Sequence, residues 1–238
     1  MSMIAGQNLL SPSSPGIDFL KALVSVDCVI FGFSDNELKV LLIKSDLEIY
    51  KDQWTLLGDL VLPTEDLESA SYRVLKQRTG LSDVYLEQVH TFSAINRHPG
   101  GRVISTAFYS LVNVNDHQLQ LSHNELHWHP VNEIPTLAFD HNSILQTCLE
   151  RLREEIHERP IVFNLLPEKF SLRQLQSLYE AILNTKMDRR NFRKKFFLMD
   201  WLVDIDELEA DVSHRPGRLY RYNASDSSKE PEAHPVNG

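Results

Sequence analysis

Cysteine is almost absent from this chain of 238 residues, with Cys28 and Cys148 the only two. Two thiols so far apart in sequence suggest neither a disulfide framework nor a four-ligand zinc site, and a reduced, cytoplasmic setting is the expectation. Long apolar runs are missing as well. The longest, ALVSVDCVIFGF at residues 22–33, is interrupted by Asp27 and preceded by Lys21. It is too short and too charged to span a bilayer or serve as a signal core, so no membrane role is expected. Positive charge is also scarce: 24 Lys and Arg face 33 Asp and Glu, a formal net charge of -9. Spread evenly, that balance would argue against a phosphate-rich partner.

The charge is not spread evenly. Residues 160–222 hold 11 basic residues against 9 acidic ones, and most of that excess is packed into DRRNFRKK at 188–195. A nucleic-acid partner is therefore expected on the C-terminal third. The remaining composition, 42% hydrophobic and 24% charged, is that of a globular chain long enough for two domains. Residues 1–21 and 223–238, rich in Ser, Pro, Gly and Asn, are expected to be flexible ends.

The pattern predicts a first domain over 22–158. LVSVDCVIFGF and LKVLLIKS form a hairpin around SDNE, and WTLLGDLVL is extended. Glu65 to Thr79 is a helix that stops at Gly80. VYLEQVHTFSAI and VISTAFYSLVNV are strands on either side of NRHPGGR, and DHNSILQTCLERLREEIHE is a helix with good N-cap residues that ends before Pro160.

A second domain follows over 159–222. Ser171 and Gln174 have capping-box spacing ahead of a stripe of Leu172, Leu175, Leu178, Tyr179 and Ile182. A second helix is predicted through DRRNFRKKFFLMDWL, with Phe192, Phe196 and Met199 on its inner face and Arg190, Arg193 and Lys194 on the outer one. ADVSHRPGRLYRY then supplies two short strands around RPG. Two helices, a tight turn and a basic hairpin describe a winged helix-turn-helix.

The stretch GDLVLPTEDLESASYRVLKQRTGL, residues 58–81, resembles the signature loop and helix of the Nudix family. Glu65, Arg73 and Gly80 fall on conserved positions of that signature. Asp59 replaces its first glycine, and Val74, Gln77 and Arg78 replace three glutamates. The family's hydrolases use those carboxylates to hold divalent cations against a pyrophosphate. The resemblance therefore implies the Nudix fold, a mixed-sheet α/β/α sandwich, without hydrolase activity, catalytic residues, metal or cofactor. The alternative is an active hydrolase drawing ligands from Glu65, Asp66 or Glu68. The cluster HNELHWH places His123, His127 and His129 together, but not in the order of a zinc protease.

With its C-terminal part, the chain resembles the Nudix-related transcriptional regulators, an α+β arrangement of a Nudix sensor followed by a winged helix. The resemblance implies a dimeric repressor or activator that binds double-stranded operator DNA. Arg189, Arg190, Asn191, Arg193, Lys194 and Lys195 would enter or flank a major groove, with arginine suited to guanine and asparagine to adenine. The lysines and the wing residues Arg215, Arg218 and Arg221 would grip phosphate. The effector is expected among Lys44, Trp54, Gly58, Asp59, Glu65, Asn96, His98 and Arg102. Its identity is either a pentose such as L-arabinose or ADP-ribose. Asp59, a carboxylate in the loop that would approach a diphosphate, favours the sugar, whereas Arg73, Arg78, Arg97 and Arg102 favour ADP-ribose.

Overall fold

The computed structural model describes residues 21–82, 84–114, 126–210 and 215–223. The first strand, β1 (Leu23–Ser34), is the spine of the N-terminal half. It turns at Asp35 and Asn36, both in the left-handed region, into β2 (Glu37–Lys44). A two-residue turn of that kind matches the twist of the strands it joins. The predicted extended piece at 54–62 is two strands with different partners: β3 (Trp54–Thr55) pairs with β2, and β4 (Leu57–Leu60) pairs with β1. After α1 (Leu67–Thr79), β5 (Tyr85–Phe92) pairs antiparallel with β6 (Val103–Asn113), which lies parallel to β1 along its full length. A further strand, β7 (Leu126–Pro130), pairs with β2.

This mixed sheet is covered on both faces, as expected. Cys28, Ile30, Leu41 and Phe108 pack against Ala70, Val74 and Leu75 of α1. Val29, Phe31, Val40 and Tyr109 look the other way, toward Ile144, Cys148 and Leu152 of α2 (His141–Glu155). The alternation of β1 residues between the two clusters is the two-residue strand period turned into two buried layers. Asp66 caps α1 by accepting from Ser69 N–H at 2.7 Å, and Gly80 ends the helix at φ 75, where a side chain would be strained.

A turn of 3-10 helix at Pro160–Leu165 leads to β8 (Phe170–Ser171) and α3 (Leu172–Leu183). The capping box of Ser171 and Gln174 is formed on both sides. The second helix, α4 (Arg189–Leu198), is shorter than the pattern predicted: it stops at Met199, and Asp200 takes φ 56. The first wing strand is β9 (Leu202–Leu208), paired with β10 (Arg218–Tyr222), and it lies ahead of the ADVSH stretch in which that strand was expected. Residues 211–214, within that stretch, lie outside the described residues, as do residues 1–20 and 224–238 of the expected flexible ends. Among the described residues no helix is long and apolar enough to cross a membrane.

The two halves share one core. Tyr179 and Leu178 of α3 and Phe192 and Phe196 of α4 belong to the same buried cluster as Phe31 and Val40 of the sensor sheet. Tyr179 Oη donates to Ile156 O at 2.9 Å, and Arg153 Nε donates to Ile182 O at 2.8 Å. Truncating Phe196, packed against the rings of Tyr179, Phe192 and Trp201, should cost about 3–5 kcal/mol. In urea, Phe196→Ala is expected to move one transition seen alike by tryptophan fluorescence and far-UV circular dichroism. Two separated transitions would mean that the halves do not fold as a unit.

Candidate functional sites

Arg73 dominates the altered Nudix signature. Its guanidinium donates to both oxygens of Glu65 at 2.7–3.2 Å, to Asp59 Oδ2 at 3.1 Å and to Leu60 O at 2.8 Å. Glu65 also accepts from Leu62 N–H at 2.8 Å, and Arg73 with this amide holds its carboxyl below the usual range. The loop before α1 is thus closed by an internal cation. Of the three replaced glutamates, Val74 is buried in the core beneath the sheet, Gln77 reaches back to Arg73 at 3.4 Å, and Arg78 is itself a cation. These residues do not fit the divalent cation that the Nudix signature implies: Val74, Gln77 and Arg78 supply no oxygen anion at three of its acid positions, and Asp59 and Glu65 are paired with Arg73. Among the described residues, no group of three or more His, Cys, Asp or Glu side chains is arranged to hold a metal ion. His123 lies outside the described residues, while His127 and His129 stand edge-on to Trp54.

The effector candidates fall into three groups. Asp59 and Glu65 meet on Arg73. Lys44 lies over the Trp54 ring at 4.0 Å and donates to Asp52 O. Asn96, His98 and Arg102 belong to the loop between β5 and β6, where Asn96 is exposed and Arg102 donates to Ser93 O at 2.7 Å, bracing its own loop. His98 stacks on Phe139 at 5.1 Å. Gly58 has a packing role: a Cβ there would lie 2.5 Å from Asp27 Oδ1 and 2.8 Å from Val26 O.

Between the groups lies a polar cluster built around Asp27, a residue the sequence reading took only as an interruption of an apolar run. Asp27 is 6% exposed in the middle of β1. Its Oδ2 accepts from Ser105 at 2.6 Å and from Arg97 at 3.3 Å, and its Oδ1 lies 3.4 Å from His141 Nε2. Arg97, 8% exposed, also forks onto both oxygens of Asp140 at 2.8 and 2.9 Å. Asp140 was expected to cap α2, but its carboxylate is spent on Arg97 and makes no cap hydrogen bond. His141 Nδ1 accepts from Leu56 N–H at 3.0 Å and faces Thr55 Oγ1 at 2.7 Å, so the ring proton sits on Nε2, toward Asp27. Phe139, in the left-handed region at φ 55, is held between His98 and Tyr50 beside this cluster. The available signals were one acid inside a strand and an aromatic–Asp–His string before a helix.

On the other half, Arg189, Arg190, Asn191, Arg193, Lys194 and Lys195 are all exposed on α4, and Phe192 and Phe196 are buried beneath them. The wing is less basic than expected. Arg218 pairs with Asp204 at 2.8 Å and lies 3.8 Å from Asp206, Arg221 pairs with Glu168 at 3.3 Å, and Lys169 pairs with Glu207. The acids of β9, between the predicted helix and the predicted wing strands, supply three of these partners. Arg215 is exposed.

Residues 21–157 match the NUDIX domain family, and residues 162–222 match the NrtR DNA-binding winged helix domain. Over 214 residues the chain is 30% identical to the ADPR responsive transcriptional repressor NtrR of Acinetobacter baylyi, covering 88% of this chain and 85% of that one. The chain belongs to the NrtR family. The crystal structure of Shewanella oneidensis NrtR complexed with a 27mer DNA superposes with a TM-score of 0.76 at 27% identity, over 86% of this chain and 95% of that one. The Nudix domain of the same protein complexed with ADP ribose gives a TM-score of 0.50 at 30% identity, over 56% and 90%.

The buried cluster in this NrtR-family chain has a measurable cost. Arg97→Met strands Asp27 and Asp140 without their cation and should destabilise the fold by about 3–5 kcal/mol. Burial holds His141 below the ordinary imidazole pKa. The folded ring therefore stays neutral while the unfolded chain takes up a proton below about pH 6.5, so stability falls as pH drops through that value toward the lower folded pKa. Urea midpoints measured from pH 7.5 to 5.5 should fall more steeply for the unaltered chain than for His141→Gln. Equal slopes would exclude this histidine as a source of acid sensitivity.

Proposed function

We propose that this protein is a transcriptional repressor that binds operator DNA as a dimer through α4 and senses ADP-ribose in a Nudix domain that does not hydrolyse it. The observation that carries the loss of hydrolysis is the replacement of three signature acids: Val74 lies in the core, Gln77 is a neutral amide and Arg78 is a cation. Without those anionic ligands no divalent cation is held there to neutralise charge developing at phosphorus.

The choice of effector reverses the expectation drawn from Asp59. A free carboxylate in that loop would repel a diphosphate, but Asp59 is drawn to Arg73 at 3.1 Å, a cation it shares with Glu65, so the repulsion is reduced and not abolished. The physical support for the sugar reading is weakened. The names of two relatives, an ADPR-responsive repressor and a Nudix domain bound to ADP ribose, support the nucleotide. The relative with a 27mer DNA supports DNA as the partner, the exposed basic face of α4 supports that helix as the reader, and two-fold pairing suits the palindromes that such helices read.

The route between the two sites in this reading is α2. It begins at Asp140 and His141 in the buried cluster and ends at Arg153 and Ile156 against α3. An effector that favours one placement of its first turn biases the placement of the DNA-binding half.

Calorimetry without magnesium should show binding of ADP-ribose and none of L-arabinose, and ADP-ribose should weaken operator binding by about 5–150-fold. With magnesium, no AMP should be released. Binding of the sugar alone would restore the pentose reading, and magnesium-dependent AMP release would make the domain a hydrolase. Arg153→Met, which cuts the hydrogen bond to Ile182 O, should leave both affinities near their original values and shrink the coupling between them.

A further inference from the structure

At 100° per residue, the exposed residues of α4 divide into two sets. Arg190 and Lys194 stand farthest from the buried Phe192 and Phe196. Arg189 and Arg193, four residues apart, lie on the flank that turns toward α3. There they meet Arg173, Gln176, Ser177 and Glu180 of α3 around a cleft of about 190 Å³. Its charges do not cancel. Glu180, the one acid lining it, already accepts from Lys186 at 2.9 Å, from Gln176 at 2.9 Å and from Met187 N–H at 3.0 Å, and these bonds hold its carboxyl below the usual range. Those bonds fix the turn between the helices and leave Glu180 matched by Lys186. Arg173, Arg189 and Arg193 are exposed and pair with no described carboxylate; Arg193 has only the ring of Phe197 beneath it at 5.8 Å.

Three guanidinium groups turned toward one concavity without a counter-charge repel each other, and an oxyanion relieves that repulsion while taking up their fork of donors. In a helix-turn-helix the first helix crosses the DNA backbone while the second enters the groove, which puts a phosphodiester at the junction of the two.

We propose that the cleft between α3 and α4 seats one backbone phosphate of the operator, clamped by Arg173, Arg189 and Arg193 with the Ser177 hydroxyl as a further donor. The inference rests on the DNA-binding reading above and adds two things to it. Arg173, on α3, is a DNA contact. Arg189 and Arg193 set the depth and register of α4, and base reading falls to Arg190, Asn191 and Lys194.

The full-length protein separates these roles when titrated with its operator and with a scrambled duplex over a series of salt concentrations. Arg173→Gln and Arg193→Gln should each weaken both duplexes by the same factor, about tenfold or more. Each should also reduce the slope of log affinity against log salt by about one. Arg190→Gln or Asn191→Ala should weaken the operator alone and compress the ratio between the duplexes. The altered arginines are exposed, so unchanged melting curves are expected to accompany the loss. Arg173→Gln binding both duplexes normally overturns the clamp while leaving α4 as the reader. Arg193→Gln weakening only the operator overturns it too, by making that residue a base reader. If the unaltered protein shows no salt-dependent affinity for any duplex, the DNA-binding reading itself fails, and the clamp with it.

Discussion

A carboxylate in the middle of the central strand is the constraint that organises the sensor half. Burying an ionised acid costs several kcal/mol unless it is paired and hydrogen-bonded, and Asp27 recruits each of its partners from a different element. Ser105 comes from β6, Arg97 from the loop after β5, and His141 from the first turn of α2. Gly58 of β4 is held against it because no side chain fits between them. Arg97 needs a second anion, and Asp140 supplies it at the cost of its own capping bond. One buried charge therefore fixes where a loop lies, where a helix starts and how closely two strands approach.

The other end of α2 repeats the arrangement. Glu155, 5% exposed, accepts from Tyr109 of β6 through Oε2 and pairs with Arg159 at 3.2 Å. Arg159 reaches Glu87 of β5 at 3.3 Å. The helix is thus pinned at each end by a buried acid and an arginine, and Arg153 and Ile156 near its end touch α3 directly. Such a helix moves as a unit if it moves at all, since bending it would strand one of the acids. Packed cores have discrete rather than continuously deformable arrangements, which makes α2 suited to carrying a small displacement from one half to the other.

Features governed by short-range chemistry were legible in the sequence. The Gly80 stop, the Ser171–Gln174 capping box and the buried Phe192–Phe196 face of α4 all follow from residues within one or two turns of each other. Long-range partnerships were not. Nothing near Asp140 announces that Arg97, 43 residues away, will take its carboxylate from the helix cap. Asp27 reads as an interruption until Ser105, Arg97 and His141 surround it. The end of α4 was misread because FFLMDWL keeps a helical pattern of apolar residues. The break comes from Asp200 in the left-handed region and from the pairing of β9 with β10. The acids of β9 that neutralise Arg218 lie between the predicted helix and the predicted wing strands. The fold distributes the effector candidates over three places.

The altered signature can be understood from what it keeps. Three acids that would hold a divalent cation are replaced, but the signature's own arginine stays, and Arg73 ties the loop together through contacts to Asp59, Leu60, Glu65 and Gln77. Isolated surface ion pairs contribute little, but one half-buried guanidinium engaging four residues fixes the loop on α1, and Val74 packs against the sheet at a position where the signature has an acid. In the proposed reading the shape of the loop survives without its chemistry. For a sensor that exchange has a direct consequence. An enzyme must keep part of its binding energy for the transition state and then destroys its ligand. A site that retains the shape and loses the cation leaves the ligand intact. Any difference in affinity between two arrangements of the protein then acts wholly on their equilibrium.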